Sequence, residues 1–204
     1  MGHLRITGIM AGLVIATVCL GACGDGGQGT ASSDTVPGSA MGSRTYPDAS
    51  GDVPFGQPDL TALTISNGAT TVRMRFTFAG APPLASNAAE GWTDMLLMGI
   101  DVPPMGAGPT PSGWMGLDYA LGMHGVDTRA VFRAMREKGP RVRTLTSRVA
   151  GRTISLDLPR ALIGDPAYFA FNVAVGREGG NEVGGGDSIP PAGTLRYRMA
   201  RAQR

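Results

Sequence analysis

Four aspartates have the chemistry to bind a divalent cation. Asp48, Asp52 and Asp59 fall in one short stretch around Gly51, and Asp187 lies near the far end of the chain. Calcium takes about six to eight oxygen ligands, and a loop that turns at a glycine can wrap around it. The spacing is not that of an EF-hand, and Asp187 joins only if the last turn packs beside the loop. Turn and cap roles are the commoner use of such aspartates, so calcium stands as one of two interpretations.

Three aromatic residues are candidates for stacking on a sugar ring. Trp92 follows Glu90-Gly91, Trp114 lies in a stretch rich in proline and glycine, and Tyr119 comes shortly after it. A flat apolar ring can pack against the face of a pyranose, which predicts a glycan-binding role for these side chains. The other interpretation is that loop tryptophans cap the core of the domain.

No catalytic constellation stands out in the sequence. His124 is the sole histidine beyond the N-terminal segment, and it falls in a predicted turn. A Ser-His-Asp arrangement would need it as the base, but no Gly-x-Ser-x-Gly motif accompanies it. The two cysteines, Cys19 and Cys23, both lie in the N-terminal segment, so the rest of the chain has no thiol. The sequence therefore predicts a binding or structural module and not an enzyme.

The charge pattern excludes one class of partner. A net charge of +2 gives no bulk attraction to nucleic acid. Arginine dominates from Arg129 onward and continues into a basic tail at residues 200–204. Such a run is usually a solvated face, and the alternative is contact with anionic lipid headgroups or an acidic glycan.

The N-terminus has the three parts of an export signal. Arg5 contributes a positive charge, residues 9–20 are apolar or small without a charge, and Leu20-Gly21-Ala22-Cys23 follows. This last segment resembles the lipobox of bacterial lipoproteins. The resemblance implies that residues 1–22 are a cleaved signal peptide and that Cys23 carries lipid on the outer face of the cell membrane. The alternative is an ordinary secretory signal with an incidental cysteine.

A flexible linker is predicted to follow the lipid-bearing cysteine. Residues 24–43 are rich in glycine, serine, alanine and threonine and have no apolar periodicity. Such a chain has a root-mean-square reach of about 25 Å. The predicted organisation is a lipid-anchored linker over residues 23–44, a folded domain over residues 45–199 and the basic tail.

The folded domain is predicted to be all-β. Apolar and polar residues alternate in short runs that are separated by turn signals such as Asn67-Gly68 and Gly151-Arg152. The predicted strands cover residues 60–66, 71–78, 95–102, 117–123, 128–135, 141–149, 153–158, 168–175 and 195–199. One helical turn is expected at residues 159–164. About eight or nine short strands favour an antiparallel β-sandwich, and a closed barrel is the alternative.

The order of several short motifs resembles that of the DOMON-like β-sandwich group, which includes the family-nine type of carbohydrate-binding module. The motifs are Tyr46-Pro47-Asp48-Ala49-Ser50-Gly51-Asp52, Pro58-Asp59-Leu60-Thr61, Ile100-Asp101, Gly116-Leu117-Asp118-Tyr119-Ala120 and Asp187-Ser188-Ile189-Pro190. The resemblance covers residues 46–199 and implies a sandwich that binds carbohydrate. Val102-Pro103 stands where related proteins often carry a second acidic residue, which counts against a metal or ligand site in that loop. Some DOMON domains bind haem through Met and His, but Met98 and Met123 are expected in the core here.

These observations combine into one functional expectation. The chain is predicted to be a membrane-anchored, extracytoplasmic lipoprotein whose sandwich binds a carbohydrate or another cell-envelope ligand. The alternative is a structural lipoprotein that contacts an envelope protein and binds no small ligand. A sheet face with exposed tryptophan or tyrosine would favour glycan, whereas a broad apolar patch would favour protein.

Overall fold

Short strands make up most of what the computed structural model describes, namely residues 42–54, 56–102, 117–135, 142–179, 186–191 and 193–199. The strands are β1 (Ser43–Pro47), β2 (Leu60–Asn67), β3 (Thr71–Phe78), β4 (Ser86–Asn87), β5 (Trp92–Asp101), β6 (Tyr119–His124), β7 (Ala130–Ala134), β8 (Val142–Leu145), β9 (Ser147–Ala150), β10 (Thr153–Pro159), β11 (Tyr168–Gly179), β12 (Asp187–Ile189) and β13 (Leu195–Arg198). A single 3-10 turn, Arg160–Ile163, occupies the predicted helical position. The described residues include no helix that is long and apolar enough to cross a membrane.

The strands form two antiparallel sheets, as a β-sandwich requires. One sheet has the order β1-β2-β3-β10-β9, and the other has the order β12-β11-β5-β6-β7-β8, with β13 pairing to β11 and β4 pairing to β5. In the part of the chain that the structure describes both sheets are open, so the predicted sandwich is confirmed and these strands do not form the closed barrel that was its alternative. We call them the five-stranded and the eight-stranded sheet.

Period-two alternation places the core between the sheets. In β3, Val72, Met74 and Phe76 are fully buried, while Arg73 and Arg75 lie on the outer face. The strand therefore buries the face that the sequence predicts. The central position predicted for residues 95–102 is also confirmed, because β5 pairs with both β11 and β6.

Several strands begin or end at other residues than predicted, and one predicted strand is divided. The stretch 141–149 was expected to be one strand, but the described part of it divides into β8, in the eight-stranded sheet, and β9, in the five-stranded sheet. Leu145 is buried against the core from one sheet, and Val149 packs against the same core from the other. In addition, β1 begins at Ser43, two residues before the predicted start of the folded domain at residue 45.

Gly99, in β5, lies where neighbouring side chains on the outer face of the eight-stranded sheet come too close for any larger residue. A Cβ on Gly99 would lie 2.5 Å from Oδ1 of Asn172 and 2.6 Å from Cδ1 of Leu117. A Cβ on Gly122, in the neighbouring strand, would meet Leu97 at an ordinary 3.5 Å. The two glycines therefore provide a matched pair of variants.

We predict that Gly99→Ala destabilises the domain by about 1–3 kcal/mol, the usual range for overpacking a filled site. Gly122→Ala is expected to have a much smaller effect, since its methyl group meets no short contact. Urea unfolding of both variants measures the difference. Equal free energies of unfolding for the two variants would contradict this packing around Gly99.

Candidate metal centre between the two sheets

The three acidic residues of the N-terminal motif lie in the connection between β1 and β2. Asp48 directly follows β1, and Asp59 directly precedes β2. The backbone N–H of Asp48 donates to the carbonyl of Thr61 at 2.9 Å, which extends the pairing of the two strands by one residue. Gly51 turns the connection with a φ of 80°, a conformation that suits glycine.

Asp59 holds this connection in shape. Its Oδ2 accepts a hydrogen bond from the backbone N–H of Gly51 at 2.6 Å and one from the hydroxyl of Ser50 at 3.4 Å. This is the turn-capping role that short acidic side chains commonly have. Asp59 thus orients the segment that carries Asp52.

Asp187 reaches the same place from the other sheet. It is the first residue of β12, and its Oδ2 accepts a hydrogen bond from the N–H of Leu60 at 2.6 Å. Its Oδ1 accepts from the N–H of Ser188 at 2.7 Å. The carboxylate therefore links the start of β2 to the start of β12, at a point where the two sheets meet.

Three of the four predicted carboxylates converge. One oxygen each from Asp48, Asp52 and Asp187 lie within 4.8 Å of one another. Asp187 is buried, Asp48 is half-buried and Asp52 is exposed, so the group runs from the interior to the solvent at Asp52. We call these three residues the carboxylate cluster; Asp59 stands outside it as the residue that shapes the loop.

Two oxygens around the cluster lack a hydrogen-bond partner among the described residues. They are Oδ2 of Asp48 and Oδ1 of Asp59, and both atoms are buried. A buried polar atom without a partner costs on the order of 1–3 kcal/mol. A cation bound between these carboxylates would offset that cost, because carboxylate oxygens are the ligands that calcium and magnesium prefer.

The pKa values of the cluster also indicate a site that favours a bound positive charge. Burial, and then the negative charges of Asp48 and Asp52, raise the pKa of Asp187 to about 6. Burial raises the pKa of Asp48 as well, against the lowering effect of hydrogen bonds with the N–H of Ala49 and with the side chain of Asp187, and the charges of Asp52 and Asp59 add to the rise. When no cation is bound, protonation of these carboxyl groups reduces the repulsion between their negative charges.

The donor set selects the kind of cation. All of the ligand atoms are carboxylate oxygens, which are hard donors that suit calcium or magnesium. Calcium tolerates irregular geometry and would complete its shell with water and main-chain carbonyls, whereas magnesium demands a near-ideal octahedron. An irregular loop joined to a strand from the opposite sheet therefore fits calcium better.

The candidate aromatic residues do not assemble into one sugar platform. Trp92, at the start of β5, has the guanidinium of Arg177 at 3.5 Å from its ring centroid. Its Nε1 donates to Glu90 at 2.5 Å, and Arg177 is in turn fixed by Asp94 at 3.0 Å. One face of the indole is thereby occupied by a partner within the chain.

Tyr119 lies at the opposite end of the same sheet. It starts β6 opposite Ile100 and stacks on Phe132, with ring centroids 5.2 Å apart, at the edge of the core. Ile100 is eight positions beyond Trp92 along β5, which at about 3.3 Å per residue separates the two aromatics by about 25 Å. The third candidate, Trp114, lies outside the described residues, as does Cys23.

His124 is the last residue of β6 and is exposed, close to the predicted turn. Its Nδ1 lies 4.0 Å from a carboxylate oxygen of Glu178. Met98 and Met123 are buried among the core residues, as the sequence predicts. The methionines therefore serve as core packing.

Sequence reasoning missed a groove of about 750 Å³ on the outer face of the five-stranded sheet. Its lining comes from β3, β9 and β10 and from the segment that connects the two sheets at residues 144–147. The alternation of arginines in β3 was a signal that these side chains share an outer face. The neighbours that complete the groove depend on strand register, which alternation does not reveal.

In comparisons with protein-family models, curated proteins and solved structures, nothing matches this chain. The likeness to the DOMON-like group therefore remains a prediction from the order of its motifs. The geometry of the carboxylate cluster carries the functional argument instead.

Proposed function

We propose that this chain is a lipid-anchored, extracytoplasmic binding module whose β-sandwich is held together by calcium. The observation that carries the calcium site is the meeting of Asp48, Asp52 and Asp187 within 4.8 Å, with buried oxygens beside them that lack a partner among the described residues. The lipobox-like segment ending at Cys23 supports the location.

The location and the site support each other. Calcium sites of extracellular modules bind weakly, with dissociation constants on the order of 10⁻⁴–10⁻³ M. A site with three carboxylates, of which one is exposed, belongs in that weak range. The role of the ion would be to fasten the β1–β2 connection to β12 and so to fix one edge of the sandwich.

The binding role is favoured over a purely structural role in protein–protein contact. Among the described residues, the large apolar side chains that are exposed are Val126, Met135 and Val142. This part of the chain therefore has no broad apolar patch of the kind that marks a protein partner. A ligand of the envelope, and a carbohydrate in particular, remains the class that the proposal names.

We expect calcium to raise the melting temperature of the purified protein. At a concentration about tenfold above the dissociation constant, binding stabilises the fold by about 1.4 kcal/mol. For a domain of this size that corresponds to about 3–6 °C. Thermal unfolding in EDTA, in calcium and in magnesium measures the effect, and calcium is expected to give the largest shift.

Two variants make this experiment specific. Asp52→Asn removes a charge from the exposed side of the cluster and is expected to abolish the calcium shift while the protein still folds. Glu178→Gln removes an exposed carboxylate elsewhere and is expected to keep the shift. An unchanged melting temperature in calcium for the parent protein would defeat the proposal, as would an equal response from both variants.

A further inference from the structure

The groove on the outer face of the five-stranded sheet contains one cross-strand row with two arginines. Arg75 of β3 and Arg148 of β9 are both register partners of Ser155, which lies between them in β10. Strands in a sheet are about 4.8 Å apart, so the two arginine Cα atoms are separated by about 10 Å. Side chains of this length can therefore converge on one group placed above Ser155.

The two arginines are the source of unneutralised charge in the groove. In the adjacent row, Arg73 binds Asp157 through two hydrogen bonds of 2.8 and 3.0 Å, and the pKa of Asp157 is lowered by that contact. Within the described part of the chain, Arg75 and Arg148 have no ionic partner. Three lining arginines against one lining aspartate leave a charge of +2 in the groove.

The rest of the lining consists mainly of hydroxyl groups. Six of the lining residues are threonine or serine, with Ser155 at the centre of the row among them: Thr71, Thr144, Thr146, Ser147, Thr153 and Ser155. All six are exposed or half-buried. The hydroxyls of Ser147 and Thr153 already donate to the backbone carbonyls of Thr128 and Ala150, so these two can only accept from a ligand. Hydroxyl groups both donate and accept hydrogen bonds, which suits a ligand that is itself polyhydroxylated. Large apolar side chains are few in the lining.

We propose that this groove binds an acidic polysaccharide, with a carboxylate or sulfate group held between Arg75 and Arg148 and the sugar hydroxyls bonded to the serines and threonines. The guanidinium group matches the geometry of such oxyanions and forms charge-assisted hydrogen bonds with them. The inference rests on the proposed function, since it names the ligand class of the binding module. It does not depend on calcium.

The shape of the site favours a polysaccharide over a lipid surface. An open groove of about 750 Å³ has room for one or two sugar units, and its floor is a sheet face with polar side chains. A membrane surface is bound by apolar side chains that enter the headgroup region together with cations. In the groove the two arginines stand among hydroxyl groups, with few large apolar side chains.

The test measures binding of the purified protein to two acidic polymers, polygalacturonate and dextran sulfate, with neutral dextran as the comparison. The titrations are made in EDTA, because calcium cross-links polyuronates. We expect the acidic polymers to bind and the neutral one not to bind. Arg75→Ala and Arg148→Ala are each expected to weaken binding about tenfold, the size of one charge-assisted hydrogen bond.

Arg133→Ala is the matched control, because Arg133 is exposed on β7 of the other sheet. It is expected to leave the affinity unchanged. Failure of all three polymers to bind would overturn the inference, as would an equal loss in the Arg133 variant or equal binding of neutral dextran. Vesicles that contain anionic lipid form the last arm, and their binding through Arg75 and Arg148 without polymer binding would assign the groove to a membrane.

These outcomes are independent of the calcium site. The polymer titrations contain no calcium, and the thermal shift contains no polymer. A protein that binds calcium but no acidic polymer overturns the groove inference alone. A protein that binds the polymer in EDTA and does not respond to calcium overturns the metal site alone.

Discussion

Replacing Cys23 with Ser is expected to release the protein from the membrane fraction. A diacylglyceryl group would be attached to the sulfur of Cys23 as a thioether. A serine hydroxyl cannot form a thioether. At roughly 0.8 kcal/mol per buried methylene, two long acyl chains anchor a protein by on the order of 20 kcal/mol. Without the acyl chains the protein therefore loses its stable association with the membrane. This is the largest effect that we predict for this protein.

Cys19→Ser provides the matched control, because Cys19 lies four residues earlier inside the apolar stretch. It is expected to leave membrane retention and acyl labelling intact. Fractionation of cells and metabolic labelling with a fatty acid measure both variants. Retention and labelling that survive in the Cys23 variant would show that Cys23 is not the lipid-bearing residue. A parent protein that is exported without label would have an ordinary secretory signal.

Calcium affinity is expected to fall steeply as the pH is lowered. Because the pKa of Asp187 is raised to about 6, this carboxyl is mostly protonated at pH 5 and ionised at pH 7.5. Calcium must displace that proton, and one unit below the pKa corresponds to about a tenfold loss of affinity. The raised pKa of Asp48 adds to the loss.

The protein without calcium should show the opposite trend in stability. A carboxyl with a raised pKa in the folded state binds more protons than it does in the unfolded chain, so its contribution is present at low pH. That contribution is lost as the pH rises from the ordinary value of 3.8 through about 6. Chemical unfolding in EDTA across this window should therefore show a decrease, which added calcium reverses at neutral pH.

Asp187→Asn separates the two effects. The variant cannot ionise at this position, so its stability in EDTA should lose this pH dependence, and calcium should bind it weakly. A calcium affinity of the parent protein that is the same at pH 5 and at pH 7.5 would mean that Asp187 is not a ligand.

The sequence predicts the sandwich because strand alternation and turn residues are local patterns, each recognisable within a few residues. The alternation in β3 and the Asn67-Gly68 turn specify a hairpin without knowledge of the rest of the chain. The division of 141–149 between two sheets is different. Leu145 and Val149 are an even number of residues apart, so both could lie on one face of a single strand, and the sequence gives no sign of the change of sheet.

The candidate sites divide in the same way. Asp48, Asp52 and Asp59 are close in sequence, and their clustering in the loop was predictable from spacing. Whether Asp187 would join them could not be derived, because it depends on where β12 packs against the start of β2. The alignment of Arg75 and Arg148 on either side of Ser155 could not be predicted either, because it depends on the register of both β3 and β9 with β10.

Isothermal titration of the purified protein with calcium at pH 7.5 tests the metal site most directly. We expect one ion per chain, a dissociation constant on the order of 10⁻⁴–10⁻³ M, and loss of the binding heat in Asp52→Asn. Absence of binding at calcium concentrations about tenfold above the upper end of that range would contradict the site. Binding that is unchanged in Asp52→Asn would place the ion elsewhere.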